Sequence, residues 1–173
     1  MTVQVVVMGV AGAGKSTVAV GLATSLGADF VDGDDLHPES NVAKMRSGTP
    51  LTDEDRVPWL DAIAAWLSER ADAGRTGVVA CSALRKDYRD RLRPDGLDVQ
   101  FVHLDGEFET ISARMRSRAG DFMPESLLIS QFEALEPLTD DERGITLNVV
   151  SKPSTLVGEA VDYIHTSQRS VTA

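Results

Sequence analysis

Residues 9–17, Gly9-Val10-Ala11-Gly12-Ala13-Gly14-Lys15-Ser16-Thr17, carry the spacing G-x-x-x-x-G-K-[ST], the pattern of a polyphosphate cradle. Gly12 and Gly14 allow the backbone to curl until its N–H groups converge on phosphate oxygens, and a following helix adds its N-terminal dipole. Lys15 is long enough to reach the β- and γ-phosphates, and the Ser16 hydroxyl is a ligand for Mg²⁺. The run predicts a nucleoside-triphosphate site. Guanine recognition is excluded in its usual form, because no Asn-Lys pair occurs in the chain.

A second group with chemical potential is Asp32-Gly33-Asp34-Asp35-Leu36-His37. One carboxylate can orient a metal-bound water or accept the proton of an attacking hydroxyl, and another can grip substrate hydroxyls. Gly33 between the two aspartates implies a tight bend. The segment 78–81, Val78-Val79-Ala80-Cys81, ends without the acidic residue that often follows a nucleotide-binding strand, which leaves the acidic work to Asp32 and Asp34. Cys81 reads as a small buried apolar residue rather than a nucleophile.

These groups need a frame. Short segments at 3–8, 29–32, 78–81, 99–104 and 145–150 read as strands, several of them apolar on consecutive residues and so buried on both faces. Between them, Val18, Leu22 and Leu26 form a helical stripe that stops at Gly27. Leu60, Ile63, Ala64 and Leu67 form a second, and Phe108, Ile111 and Met115 a third. Strand–helix alternation predicts right-handed βαβ units in an α/β sandwich, with the carboxyl ends of the strands facing one crevice. His103 falls inside a strand and reads as structural. The polar stretch after Tyr163, residues 165–173, is expected to be loosely held.

Around that frame, Asp32-Gly33-Asp34, Leu36-His37-Pro38, Asn41, Lys44-Met45, Gly48, Pro50-Leu51, Asp55-Arg56 and Pro58-Trp59-Leu60 resemble the small bacterial-type gluconokinases. So do Cys81-Ser82-Ala83-Leu84, Tyr88-Arg89-Asp90, Leu92-Arg93, Phe122-Met123-Pro124, Leu127-Leu128, Ser130-Gln131-Phe132 and Leu135-Glu136-Pro137. The resemblance spans roughly residues 9–137. It implies a three-layer α/β sandwich with a five-stranded parallel sheet, akin to shikimate and nucleoside-monophosphate kinases, and a lid near 118–136. It implies transfer of a phosphoryl group from Mg·ATP to the 6-hydroxyl of D-gluconate. Asp32 would serve Mg²⁺ or accept a proton, Asp34 would hold sugar hydroxyls, and Arg56 would meet the substrate carboxylate. His37, Lys44 and Ser82 would line the same cleft. The bland reading of Arg56 is a helix partner of Asp53.

Basic residues gather at Arg85–Arg93 and at Arg114, Arg116 and Arg118. Arg114 and Arg118, four apart, share a helical face. The resemblance implies that Arg114 lies near adenine and that Arg118 closes on the γ-phosphate; Lys86 and Arg89 are the better substrate candidates of their cluster. Pro153, in Ser151-Lys152-Pro153-Ser154, falls where this fold wraps adenine. Where the family carries His before Phe-Met-Pro, this chain has Asp121.

Length and charge bound the rest. A chain of 173 residues makes one domain of ordinary size. With 27 acidic against 17 basic residues, the net charge is −10, which argues against coating nucleic acid or an anionic membrane. One cysteine excludes a disulfide framework, and no charged leader precedes the first apolar run; both point to the cytoplasm. The oligomeric state is left open, a homodimer included. The competing readings are a kinase for another hydroxy acid or shikimate, and a nucleotide sensor without turnover.

Overall fold

The computed structural model describes residues 2–118 and 124–171. Five parallel strands, β1 (Gln4–Met8), β2 (Asp29–Asp32), β3 (Gly77–Ala80), β4 (Val99–Asp105) and β5 (Gly144–Asn148), form one sheet in the order β2-β3-β1-β4-β5. Every strand lies within two residues of its expected bounds. β1 is central and wholly buried. It pairs Val5 with Val78 and Gln100 on its two sides, so all three carboxyl ends emerge together.

Among the described residues seven helices accompany the sheet: α1 (Lys15–Leu26), α2 (Glu39–Arg46), α3 (Asp53–Asp72), α4 (Lys86–Leu92), α5 (Phe108–Ser117), α6 (Glu125–Ala134) and α7 (Pro153–Val171). One face carries Val5, Val7, Val102 and Leu104 against Val18 and Leu22 of α1 and Leu156, Ala160 and Ile164 of α7. The other carries Val6, Met8, Val79 and Phe101 against Trp59, Leu60, Ile63 and Leu67 of α3 and Leu92 of α4. This is the three-layer sandwich that the alternation of elements predicts.

Local chemistry sets the helix ends. α1 stops at Gly27, which adopts φ 61° and returns its N–H to Ala23 and Thr24 carbonyls. α3 starts with a capping box: Thr52 Oγ1 accepts from Asp55 N–H at 3.2 Å, and Asp55 Oδ2 accepts from Thr52 N–H at 2.9 Å. The expectation of a loose tail is corrected. α7 runs through residues 165–171, because Leu156, Ala160 and Ile164 form a stripe at spacing four that seats the helix against the sheet. Its last turns are more exposed, and Arg143 Nη2 donates to the Ser167 carbonyl at 3.3 Å. Among the described residues, no helix is long and apolar enough to cross a membrane.

Candidate active site

The loop after β1 turns into α1 through three glycines with positive φ: Gly9 (148°), Gly12 (77°) and Gly14 (94°). A Cβ on Gly9 would stand 2.7 Å from the Leu104 carbonyl oxygen, and one on Gly12 would stand 2.5 Å from Met115 Cγ of α5. Close packing and backbone conformation therefore both require glycine there. The loop encloses a cleft of about 400 Å³ with Ala11, Gly12, Gly14, Lys15, Ser16, Thr17, Asp32, Asp34, Ser82, Arg118 and Gln131 on its walls.

The strand order places β2 beside β3, and Ser16 Oγ donates across the cleft to Asp32 Oδ2 at 2.9 Å. Asp32 Oδ1 accepts the Asp34 N–H at 3.1 Å, capping a short 3₁₀ turn over Gly33–Leu36. Gly33 is needed for close approach, since a Cβ would lie 2.6 Å from the Ala80 carbonyl oxygen. The Trp59 indole N–H donates to the Gly33 carbonyl at 2.7 Å, and the His37 ring stacks on Trp59 at 4.3 Å. α3 thus fixes the turn that presents the two carboxylates.

Charges in the cleft respond to this crowding. Burial and then the neighbouring Asp32 carboxylate push Asp34 above the usual carboxylate range. Burial lowers Lys15 despite the nearby aspartates, and Lys15 Nζ rests on the Val10 carbonyl at 3.0 Å. Burial also pushes the Cys81 thiol up to about 12, which keeps it protonated and un-nucleophilic. Asn41 Nδ2, a donor only, faces His37 Nδ1 at 3.2 Å, so the imidazole proton resides on Nε2. Burial lowers the pKa of this ring as well.

The remaining expected residues divide. Arg56 makes the helix pair with Asp53, at 3.5 Å, yet its guanidinium also lies 5.9 Å from the Tyr88 ring, which Arg85 approaches to 5.3 Å. Lys44 binds Asp55 at 2.7 Å in the group that buttresses His37 through Asn41. Arg114 donates to the Val149 carbonyl, at the mouth of the loop leading to Pro153 and α7. Arg118 ends α5, exposed, on the cleft wall. Asp121 and the rest of 119–123 lie outside the described residues.

Two expectations change. Arg89 is no substrate ligand: its side chain is 0% exposed, like that of its partner Glu142. Its Nε and Nη2 donate to Glu142 at 2.6 and 3.0 Å, and Nη1 and Nη2 donate to carbonyls of Ala83, Leu84, Glu136 and Pro137. No donor remains for a ligand. Lys86 turns to Asp90 and Asp141, away from the cleft. A roomier hollow of about 570 Å³ at the amino end of β4 offers no comparable chemistry, since its Arg93 and Arg143 are paired with Asp90, Asp141 and Asp98.

Gln131 was not singled out by its residue type, although it stands in the motif that carries the resemblance. Its Oε1 accepts the Ala11 N–H at 2.7 Å. Arg85, ranked by sequence below Lys86 and Arg89 of its cluster, is the member that shares Asp53 and the Tyr88 ring with Arg56.

A phosphate loop at the carboxyl end of the central strand, opposed by two carboxylates at the carboxyl end of β2, two strands away, defines a phosphotransferase of the P-loop kinase class. The chain matches the AAA domain family model over residues 5–138. It is 49% identical to a gluconokinase of Gluconobacter oxydans over 156 residues, covering 90% of this chain and 88% of that one. The crystal structure of a gluconokinase from Sinorhizobium meliloti superposes with a TM-score of 0.87 at 41% identity, covering 98% of this chain and 95% of the other. The chain belongs to the gluconokinase family. Shikimate kinase of Aquifex aeolicus shares the fold alone, with a TM-score of 0.57 at 15% identity, covering 95% of this chain and 98% of the other.

Proposed function

We propose that this protein transfers the γ-phosphoryl group of ATP to the 6-hydroxyl of D-gluconate, giving ADP and 6-phospho-D-gluconate. The observation that carries the reading is the Ser16–Asp32 hydrogen bond at 2.9 Å, which sets the phosphate loop against the Asp32/Asp34 pair in one cleft. Kinship to gluconokinases supports the choice of sugar acid.

The Ser16 hydroxyl and the Asp32 carboxylate are hard oxygen donors, and few protein ligands beside phosphate oxygens and water suit Mg²⁺. Ser16 would bind the ion directly and Asp32 through water, and the ion would neutralise charge on the β- and γ-phosphates. With Asp32 engaged by Ser16 and the Asp34 N–H and serving the ion, Asp34 holds the substrate hydroxyls and takes the proton as the 6-oxygen attacks. Its raised pKa brings it closer to a working base at neutral pH. Lys15 leaves the Val10 carbonyl for the phosphate oxygens. Arg56, beside Tyr88 and Arg85, meets the gluconate carboxylate, and Arg118 meets charge developing on the transferred group. A cytoplasmic location fits these substrates and the single buried thiol.

The test measures ADP release across gluconate, other sugar acids, shikimate and nucleoside monophosphates, with Mg²⁺ supplied and then chelated. Gluconate should give the highest kcat/KM, and Lys15→Ala should lose turnover by orders of magnitude while remaining folded. Equal rates with shikimate, or no sugar-acid dependence, would overturn the assignment.

A further inference from the structure

The peptide group joining Val10 to Ala11 is held at both ends. Its carbonyl accepts Lys15 Nζ at 3.0 Å, and its N–H donates to Gln131 Oε1 at 2.7 Å. The first contact is internal to the phosphate loop; the second arrives from α6, 120 positions along the chain. Ala11 N is a donor only, so the carboxamide atom that faces it is the oxygen, and chemistry alone fixes the orientation of the amide. The Nε2 group must then point away from the loop backbone. Among the described residues, the bond to Ala11 is the one hydrogen bond of this side chain.

The position of Gln131 is set by packing. Leu128, one turn earlier, is buried, and Phe132, the next residue, meets Phe108 of α5 edge-on at 5.5 Å. The side chain lines the cleft that also holds Lys15, Ser16, Asp32, Asp34 and Arg118. A donor with two hydrogens is therefore delivered on a seated helix, one peptide group away from the lysine that recognises the terminal phosphates.

We propose that Gln131 is a γ-phosphate contact. Its oxygen docks on the Ala11 N–H and orients the Val10–Ala11 peptide, while Nε2–H donates to an equatorial oxygen of the phosphoryl group in transfer. This rests on the phosphotransferase reading above and adds a residue to it. The amide is the required chemistry: a carboxylate would satisfy Ala11 equally well but would set negative charge against the phosphate.

The proposal is tested by equilibrium binding of a non-hydrolysable ATP analogue and of ADP, each with Mg²⁺, to the wild type, Gln131→Glu and Gln131→Met. Gln131→Glu keeps an acceptor for Ala11 and should melt at the wild-type temperature. It should lose at least tenfold in affinity for the analogue while binding ADP within twofold of wild type. Gln131→Met, lacking both acceptor and donor, should weaken the analogue more than ADP and melt lower. Two results would overturn the idea: Gln131→Glu binding both nucleotides as wild type does, or losing affinity for both equally. Neither measurement uses gluconate, so a wrong sugar acid would leave this result standing, and a failure here would leave the substrate assignment intact.

Discussion

Asp32 and Asp34 are the same residue two positions apart, and their surroundings give them different work. Asp32 accepts hydrogen bonds on both oxygens from Ser16 and from the Asp34 N–H. Asp34 is pushed upward by burial first and by Asp32 second. An aspartate whose folded pKa lies above its unfolded value is less easily ionised in the folded state, so at pH 7 its charge costs stability, and that cost disappears as pH falls below the unfolded pKa. Asp34→Asn should therefore raise the melting temperature of the ligand-free protein at pH 7 by about 2 °C, with no gain near pH 3. The same change should cut kcat by about 10²-fold or more if Asp34 takes the proton; thermal melts at the two pH values and steady-state rates check both arms. Arg56 is a sharper case, because its pair with Asp53 already supplies a structural role. Arg56→Ala should raise the KM for gluconate at least tenfold and leave the KM for ATP within twofold. Equal changes would return Arg56 to the helix surface.

At the scale of elements, the site depends on two loops that approach each other from distant parts of the chain. The β3–α4 loop contains Ala83, a non-glycine residue at φ 43°. Its carbonyl and that of Leu84 are gathered by Arg89, which also holds Glu136 and Pro137 beyond α6 and is neutralised by Glu142. One buried arginine thus ties the wall bearing Ser82 to the end of the helix bearing Gln131. Removing one partner strands the other charge inside the protein, so Arg89→Met should destabilise by about 3–5 kcal/mol, read from urea unfolding. Arg89→Met combined with Glu142→Leu should recover a large part of that loss. The sequence could not show this role. A cluster of arginines carries no sign of depth, and the carboxylate that buries Arg89 lies 53 positions away. β1 and β3 were legible, since consecutive apolar residues are satisfied between two helical layers, whereas the edge strands β2 and β5 carry only short apolar stretches and were placed by the alternation of elements. α2 and the 3₁₀ turn were not legible, because no apolar stripe marks them: Asn41 is the one buried residue of α2. The phosphate loop was legible for the opposite reason, its function residing in backbone geometry that glycine spacing records directly.

Across the whole molecule, stability depends on pH through a ring buried in the sheet. His103 stands on β4 opposite Met8, the last residue before the phosphate loop. It is 3% exposed, and neither ring nitrogen has a hydrogen-bond partner in the protein among the described residues. Burial lowers its pKa against an opposing pull from Asp105, and the Arg89 cation adds a lesser push in the same direction as burial. The sign follows from linkage. A histidine with a depressed folded pKa binds its proton more readily when unfolded, so its contribution to stability is full above the unfolded pKa near 6.5 and declines as pH falls toward the folded value. The carboxylates act lower on the scale. Asp53, Asp55, Asp90, Asp141 and Glu142 are all held below their ordinary values by hydrogen bonds to Tyr88, Lys44, Arg93, Thr139 and Arg89 respectively, and their contribution is lost only below about pH 4. Between pH 7.5 and 5.5 the depressed histidines therefore set the loss of stability, opposed by Asp34, whose upward shift acts with the opposite sign. Urea unfolding at intervals across this range should show stability falling by about 1.4 kcal/mol for one proton taken up on unfolding, with a further loss from His37, which is also depressed by burial. His103→Phe keeps an aromatic ring, slightly larger, without the titration and should flatten most of the slope, leaving the His37 share. A wild-type profile level from pH 7.5 to 5.5, or a His103→Phe slope equal to wild type, would show that the buried ring accepts a proton in place and does not set the acid limit of the fold.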